Sequence, residues 1–425
     1  MCKYLKSVAS LKQGVITSLK RPNLSIFSDI FYTQAEKSPF LVLDEVTAVK
    51  NSSSTTFQAT EELRSLADGC IMLTGSPVDN TWFDLYAYVQ LIPGHDIRSK
   101  IAMRALFARK TGKGRWGPPI GNQMRRLLQL LNSFVVRRPE SIIPLPPLHV
   151  RTVRFELTPQ EYAKSDEHAQ IYMIICNANS DRVRGDQFSP WGRLTLASQH
   201  AYHPALEKIM HLVKNPNHDI DEDLAAADVL SEAKEIEEWV LWREEIGRNE
   251  NWRSSRIEII IDIFNEFRDK DPDCSVIIFD DSVFFLDIIE VAFSQMFEPE
   301  ECLRYDGRLI AEKRSAVLEA FATAGGPRVL LASRGAGGIG LNITTANKVI
   351  LCGPWWKIEL EDQAIKRAHR PGQQREVEAV KVLANCTIEE YKARLRDSKH
   401  KHNSKIVKNL TRPDGVVPKA WDDLE

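Results

Sequence analysis

EDQAIKRAHRPGQ, Glu361 to Gln373, sets two arginines, Arg367 and Arg370, three residues apart just ahead of a Pro-Gly stop. On a helix that spacing brings both side chains out on one face, within reach of a single target. Paired guanidinium groups suit a polyphosphate whose charge grows as it is cleaved. By itself the pair reads first as a solvated basic helix face. The residues upstream narrow the choice. RVLLASRGAGGIGLN (Arg328 to Asn342) reads as a buried strand, VLLA, running into a turn with Gly335, Gly337, Gly338 and Gly340, and KVILC (Lys348 to Cys352) reads as a second apolar strand. Glycines after a strand let backbone N–H groups approach an anionic ligand closely. The ordered series of strand, glycine turn, strand, Trp-Trp and paired arginines is far more specific than any of its members.

On these residues the chain resembles the Swi/Snf (Snf-two) branch of the superfamily-two helicase-like ATPases, the double-stranded-DNA translocases. SRGAGGIGLN (Ser333 to Asn342) matches the family's motif V, and QAIKRAHRPGQ (Gln363 to Gln373) matches motif VI almost letter for letter. PWWKIELEDQA (Pro354 to Ala364) is similar to the version found in the subgroup linked to DNA repair and transcription termination.

Composition is consistent with this and adds limits. The chain has 425 residues, 43% hydrophobic and 27% charged, the profile of a globular protein with room for two domains and insertions. A formal net charge of −2 gives no whole-protein pull toward nucleic acid, so DNA contacts must come from local basic patches. The seven cysteines are scattered without a CxxC or a Cys/His cluster at metal spacing, and several sit in apolar runs. Buried reduced thiols are expected, and zinc is not. No apolar run approaches the roughly 18 residues of a membrane span, and no signal-peptide pattern opens the chain. The expectation is an intracellular, reducing compartment, nuclear by resemblance, with no membrane partner.

Taken in order, GVITSL (Gly14 to Leu19) reads as a short strand and resembles the strand that precedes the family's acidic motif. PFLVLDEVTAVKN (Pro39 to Asn51) is an apolar strand ending in two carboxylates. Acidic residues at the carboxyl end of a parallel strand stand where open α/β sheets place ligand chemistry. Asp44 there could hold Mg²⁺, and Glu45 could orient or deprotonate an attacking water. The stretch resembles motif II, with Thr47 in place of the usual histidine. IMLTGSPVDNTWFDLYAYVQLI (Ile71 to Ile92) reads as strand, turn and a helix with Trp82, Leu85, Val89 and Ile92 on its core face. Leu73 to Asn80 resembles motif III, LTGTPLQN, in which Thr74, Gly75 and Ser76 would relay nucleotide state to DNA. GKGRWGPPIGN (Gly112 to Asn122) is not a phosphate loop, since Gly114 stands where Ser or Thr must follow Gly-Lys. No GxxxxGK[ST] occurs in the chain. The expectation is therefore that the sequence begins partway into the first lobe and hydrolyses ATP poorly as it stands.

Further on, IIPLPPLHVRTVRFELT (Ile142 to Thr158) is a proline-punctuated connection into an alternating strand, and Pro159 to Arg253 reads as polar and helical. Within it His203 reads as structural, and Trp239 and Trp242 as packing anchors. SVIIFDDSVFFLDIIEVAF (Ser275 to Phe293) resembles motif IV, and YDGRLIAEKRSAVLEAF (Tyr305 to Phe321) the segment before motif V, with Arg314 in place. The basic run from Lys392 to Lys408 reads as a solvated face, or else a weak phosphate-binding arm.

The resemblance implies an α/β fold of two RecA-like lobes with parallel sheets, the first incomplete, and a helical insertion between them. It divides the chain into 1–140, the end of the ATP-binding lobe; 141–253, linker and insertion; 254–396, the C-terminal lobe; and 397–425, a tail. It implies ATP with Mg²⁺ at Asp44, Glu45, Gly335, Gly337, Gly340, Gln363, Arg367 and Arg370. Coupling to DNA would run through Thr74, Gly75, Ser76, Ser333 and Arg334. The partners it implies are double-stranded or nucleosomal DNA and chromatin or repair proteins. The alternative is a catalytically inactive DNA- or chromatin-binding descendant, suggested by Thr47, Asp79 and the Gly335 that follows Ser333-Arg334. An RNA helicase fits the motif VI wording less well.

Overall fold

Apolar runs bounded by polar turns become parallel strands in both halves of the chain. The computed structural model describes residues 15–16, 38–110, 116–137, 143–177, 189–212, 233–297, 302–323, 328–337 and 342–410. The chain divides into two compact units, Met1–Ile142 with Ser398–Glu425, and Ile143–Asp397.

In the first unit β1 (Val15–Ile16), β2 (Ser38–Asp44) and β3 (Ala67–Leu73) form a three-stranded parallel sheet in that order. The crossover from β2 to β3 is α1 (Thr55–Ser65), whose N-terminus is fixed by Ser54, its Oγ accepting from Phe57 N at 3.1 Å. α2 (Leu85–Gln90), α3 (Lys100–Phe107) and α4 (Gly121–Asn132) follow, with the short hairpin of β4 (Arg109–Lys110) and β5 (Trp116–Gly117) between the last two. Leu41, Leu43, Phe57, Trp82, Leu85, Val89, Met103 and Leu127 are buried together. Ile406 and Leu410 join the same core.

In the second unit six strands are all parallel: β6 (Leu148–Phe155), β7 (Val276–Asp280), β8 (Cys302–Tyr305), β9 (Val329–Ser333), β10 (Lys348–Leu351) and β11 (Val377–Ala384). Their order is β6-β11-β10-β7-β9-β8. The proline-punctuated connection thus ends as an edge strand of this sheet. Every residue of β7 and β9 is buried, as continuous apolar runs covered on both faces should be. Alternate residues feed two cores: Val276, Ile278 and Leu331 pack toward one, and Ile277, Phe279 and Leu330 toward the other. α8 (Ser255–Lys270) and α9 (Val283–Met296) cover the first face, while α10 (Ala311–Ala322) and α12 (Ile358–Ile365) contribute Phe321, Ala364 and Ile365 to the second. Between α10 and α12 lies α11 (Arg334–Gly337).

The helical insertion is α5 (Pro159–Asn177), α6 (Pro190–Tyr202), a 3₁₀ segment (Pro204–Leu212) and α7 (Ala233–Gly247). Trp239 and Trp242 anchor it: Trp242 Nε1 donates to Ala205 O at 3.0 Å and Trp239 Nε1 to Asp287 Oδ2 at 2.8 Å. His203 is structural, 3% exposed, its Nδ1 accepting from Ala205 N at 3.1 Å. Gly353, just past β10, has Tyr202 Oη so near that an added Cβ would lie 1.9 Å from it, so glycine is required where α6 meets the sheet.

The basic run expected as a solvated face is helical instead. α13 (Ile388–Lys408) carries it, and Ile406 at 0% exposure and Leu410 at 2% bury against the first unit. Two apolar residues four apart give an otherwise charged segment one packing face. The cysteines also differ from expectation: among the described residues all are free, Cys274 and Cys352 are buried, but Cys176 and Cys386 are exposed.

One buried charge joins several of these elements. Arg256, on α8, is 0% exposed; its guanidinium donates to Ala201 O at 3.1 Å, Cys352 O at 2.5 Å and Glu389 Oε1 at 2.5 Å, and lies 4.0 Å from the Tyr202 ring centroid. Glu389 Oε2 accepts from Ala384 N at 3.0 Å. Arg256→Met should therefore lower the unfolding free energy by about 3–5 kcal/mol in denaturant titrations, because Glu389 is left charged and buried. Adding Glu389→Gln should recover part of the loss.

A second expectation concerns pH. Burial pushes His203 down to about 4, below the unfolded value near 6.5. The unfolded chain binds the proton more readily, so this stabilisation is complete above about pH 6.5 and is lost as pH falls toward 4, an effect of about 3 kcal/mol. His168 and His200, lowered chiefly by burial, act in the same direction. Melting temperature should fall across that window, and less steeply in His203→Gln.

Candidate functional site

In the first unit the motif residues gather at two neighbouring strand ends. Asp44 closes β2 and pairs in register with Leu73, the last residue of β3, so Asp44-Glu45 and Thr74-Gly75-Ser76 leave the sheet side by side. Glu45 turns the chain into a 3₁₀ turn (Val46–Val49) through a left-handed conformation, φ 54° and ψ 55°, and its carbonyl accepts from Ala48 N at 3.0 Å. That conformation is disfavoured for any residue with a Cβ.

The next loop is shaped by its own hydroxyls. Thr74 Oγ1 accepts from Ser76 N and donates to Ser76 O, both at 3.0 Å, and Ser76 Oγ donates to Val78 O at 3.2 Å. Gly75 is exposed, with open space around it. The two loops are tied by an ion pair sequence reading missed: Lys50 Nζ lies 2.5 Å from Asp79 Oδ2, with side chains 12% and 10% exposed. Asp84 holds the loop's far end, its Oδ2 accepting from Asn80 N at 2.6 Å and Thr81 N at 3.0 Å. Burial pushes its pKa up in spite of those bonds. Thr47, half-buried, lies on the 3₁₀ turn.

In the second unit Ser333 and Asp280 stand in register at the carboxyl ends of β9 and β7, each 1% exposed. Asp280 Oδ1 accepts from Ser282 N at 2.7 Å, and burial, then the neighbouring Asp281, pushes its pKa well above the usual carboxylate range. Arg334 Nε lies 2.5 Å from Asp281 Oδ1, with its guanidinium 5.9 Å from the Trp355 ring centroid. Gly335 and Gly337 belong to the helical turn α11 rather than to an open loop; Gly338 and Gly340 lie outside the described residues.

The two arginines do not share a helix, contrary to the spacing argument. α12 ends at Ile365, with Gln363 half-buried in its last turn; Arg367 and Arg370 lie beyond it in a run of turns. Arg367 N donates to Ala364 O, and Ala368 N and His369 N to Ile365 O, each at 3.1 Å. Pro371 disfavours a helical Arg370, and Gly372, at φ 105°, turns the chain away. Arg367 is 8% exposed and Arg370 half-buried.

What holds this turn is Gln373, whose Nε2 donates to Thr344 O at 3.1 Å, Ala346 O at 2.8 Å and Ala368 O at 3.1 Å. Its Oε1 accepts from Gln374 N and Arg375 N. Ile343 N donates to Arg367 O at 3.1 Å, so the segment after motif V and the arginine turn are fastened together. Glu361, 1% exposed, braces the preceding helix: it accepts from Trp355 N at 2.9 Å, Lys381 Nζ at 2.8 Å and Arg396 Nη1. Arg256, Glu361 and the Lys50–Asp79 pair were not singled out from sequence as structural groups, because their partners are distant in sequence and no local pattern marks them.

The acidic pair thus belongs to the first unit and the arginines to the second. The backbone at Glu45 yields a direct test: Glu45→Gly should be more stable than Glu45→Ala by about 1 kcal/mol in chemical denaturation, since only glycine is unstrained there.

With this geometry in place, relatives are informative. The family described as SNF2-related domain matches residues 15–217, and that described as helicase conserved C-terminal domain matches residues 255–372. An uncharacterized ATP-dependent helicase of Mycoplasma genitalium is 26% identical over 377 residues, 88% of this chain and 31% of its own length. DNA repair protein RAD5 of Kluyveromyces lactis is 31% identical over 158 residues, 36% of this chain and 14% of its own. The chain therefore spans less than a third of the length of these relatives. The crystal structure of the C-terminal part of the Fun30 ATPase domain aligns with 62% of this chain and 97% of its own at a TM-score of 0.47 and 21% identity. Carrying both domain families in order, the chain belongs to the Swi/Snf family of superfamily-two helicase-like proteins.

Proposed function

We propose that these residues form part of an ATP-driven motor that tracks along double-stranded DNA. The observation that carries the reading is Asp44-Glu45 at the carboxyl end of a parallel strand, with Glu45 held in a strained left-handed conformation beside the Thr74–Ser76 loop. Strain of that kind concentrates at functional sites. Asp44 and Glu45 are hard oxygen donors of the type Mg²⁺ takes, so the residues present fit their share of a Mg²⁺–nucleotide site. Asp44 would hold the ion and Glu45 would orient water. Bound with ATP, Mg²⁺ would supply charge neutralisation at the phosphate oxygens.

Arg367 and Arg370 would meet the phosphates, with Gly335, Gly337, Gly340 and Gln363 on the nucleotide side. Thr74, Gly75, Ser76, Ser333 and Arg334 would couple nucleotide state to DNA, gripped by its phosphates with little regard to sequence. The names of the relatives, ATP-dependent helicase and DNA repair protein, support this reading. A nuclear setting with chromatin or repair partners belongs to the same proposal. Thr47, where the family has histidine, favours a second reading in which the chain binds DNA without coupling that binding to nucleotide.

Duplex-DNA affinity of the purified chain, measured by fluorescence anisotropy with and without a non-hydrolysable ATP analogue and Mg²⁺, separates the two. The motor reading expects a nucleotide-dependent change of about fivefold or more, lost in Arg367→Ala/Arg370→Ala. Affinity indifferent to nucleotide would establish the second reading, and no duplex binding at low salt would remove both.

A further inference from the structure

We propose that His168, His200 and Glu207 form a divalent transition-metal site inside the helical insertion, at present guarded by Arg193. The three come from α5, α6 and the 3₁₀ segment after Pro204, and their ligand-capable atoms all lie within 4.8 Å of one another. His168 is 8% exposed and His200 4%, whereas Glu207 is 56% exposed. The imidazole rings stack at 5.4 Å between centroids with an interplanar angle of 19°.

His200 is the unexplained member. Its Nδ1 makes no hydrogen bond among the described residues, while its Nε2 faces Glu207 Oε2 at 3.2 Å. A ligand at the ring would satisfy that buried nitrogen. Two imidazoles and a carboxylate are the donor set for Zn²⁺, Co²⁺ or Ni²⁺ and a poor one for Mg²⁺.

Around a tetrahedral ion with bonds of about 2.0–2.1 Å, ligand atoms stand about 3.3 Å apart, so the cluster must contract, which rotation of the exposed Glu207 allows. A cavity of about 910 Å³, lined by His200 and Glu207 together with Lys164, Glu161, Arg253 and Glu258, provides an entry path and room for an exogenous fourth ligand.

Arg193 makes the proposal specific. Its Nη1 lies 2.9 Å from His168 Nδ1. A guanidinium only donates, so His168 Nδ1 must be the acceptor, and the neutral ring carries its proton on Nε2. A metal at Nδ1 takes the lone pair that Arg193 uses. A metal at Nε2 moves the proton to Nδ1, where it opposes the Arg193 N–H. By either route binding displaces Arg193.

Chelator-treated chain titrated with Zn²⁺ by calorimetry, and with Co²⁺ by visible absorption, tests this. One equivalent should bind, with the intense absorption of tetrahedral cobalt, unaffected by millimolar Mg²⁺. Glu207→Gln, whose exposed side chain is not needed for folding, and His168→Gln should each weaken binding about tenfold or more. Arg193→Gln should tighten it. Absence of stoichiometric binding, a site indifferent to Glu207→Gln and His168→Gln, or an Arg193→Gln affinity no better than the parent's would overturn the proposal.

Discussion

A guanidinium with no exposure to water needs a partner for each of its charged edges, and the second unit is built so that Arg256 has them. Its partners come from the end of α6, the residue after β10 and the first turn of α13. Burial of Arg256 opposes its charge while Glu389 supports it, and the pair is stable only because the geometry is complete. Losing any one of those elements would strand the others. That constraint explains why the helical insertion and the six-stranded sheet belong to one unit, and why Gly353 leaves room for Tyr202 to stack on the same guanidinium.

The same logic governs the motif loops, where residues whose chemistry suggests a ligand are first of all hydrogen-bonded to the protein. Thr74 and Ser76 spend their hydroxyls on the loop backbone, Gln373 spends its amide on three carbonyls, and Glu361 is surrounded by two cations and a backbone N–H. Their positions are set by the protein's own hydrogen bonds. It also means that mutating these residues would disturb position as much as contact.

The fold was legible because the buried strands are short apolar runs such as VIIF, VLLA and KVIL, and their alternation with helical segments leaves parallel crossovers as the natural solution. Acidic residues ending β2 and hydroxyls after β3 were equally visible. What sequence could not show was where α12 stops: a spacing of three reads as one helix face until Pro371 and Gly372 impose their turn. The basic tail misled for the opposite reason, since Ile406 and Leu410 are few among lysines yet bury completely. The absence of CxxC directed attention away from metals, and His168 and His200 are visible as neighbours only once α5 packs on α6. The alternating segment at Leu148–Phe155 was legible as a strand, but not its place in the second-unit sheet, because its partner, β11, lies more than two hundred residues onward.

The Lys50–Asp79 pair bears on whether departures from the family pattern signify decay. Asp79 stands where LTGTPLQN has glutamine, and in isolation it reads as drift. Yet Lys50 lies in the adjoining loop with its side chain only 12% exposed, and its ammonium pairs with Asp79 at 2.5 Å. The aspartate compensates a specific neighbour, and compensation of this kind maintains the relative position of the two loops that carry Asp44-Glu45 and Thr74–Ser76. The departure at Asp79 therefore has a structural explanation in Lys50 and does not by itself signify decay.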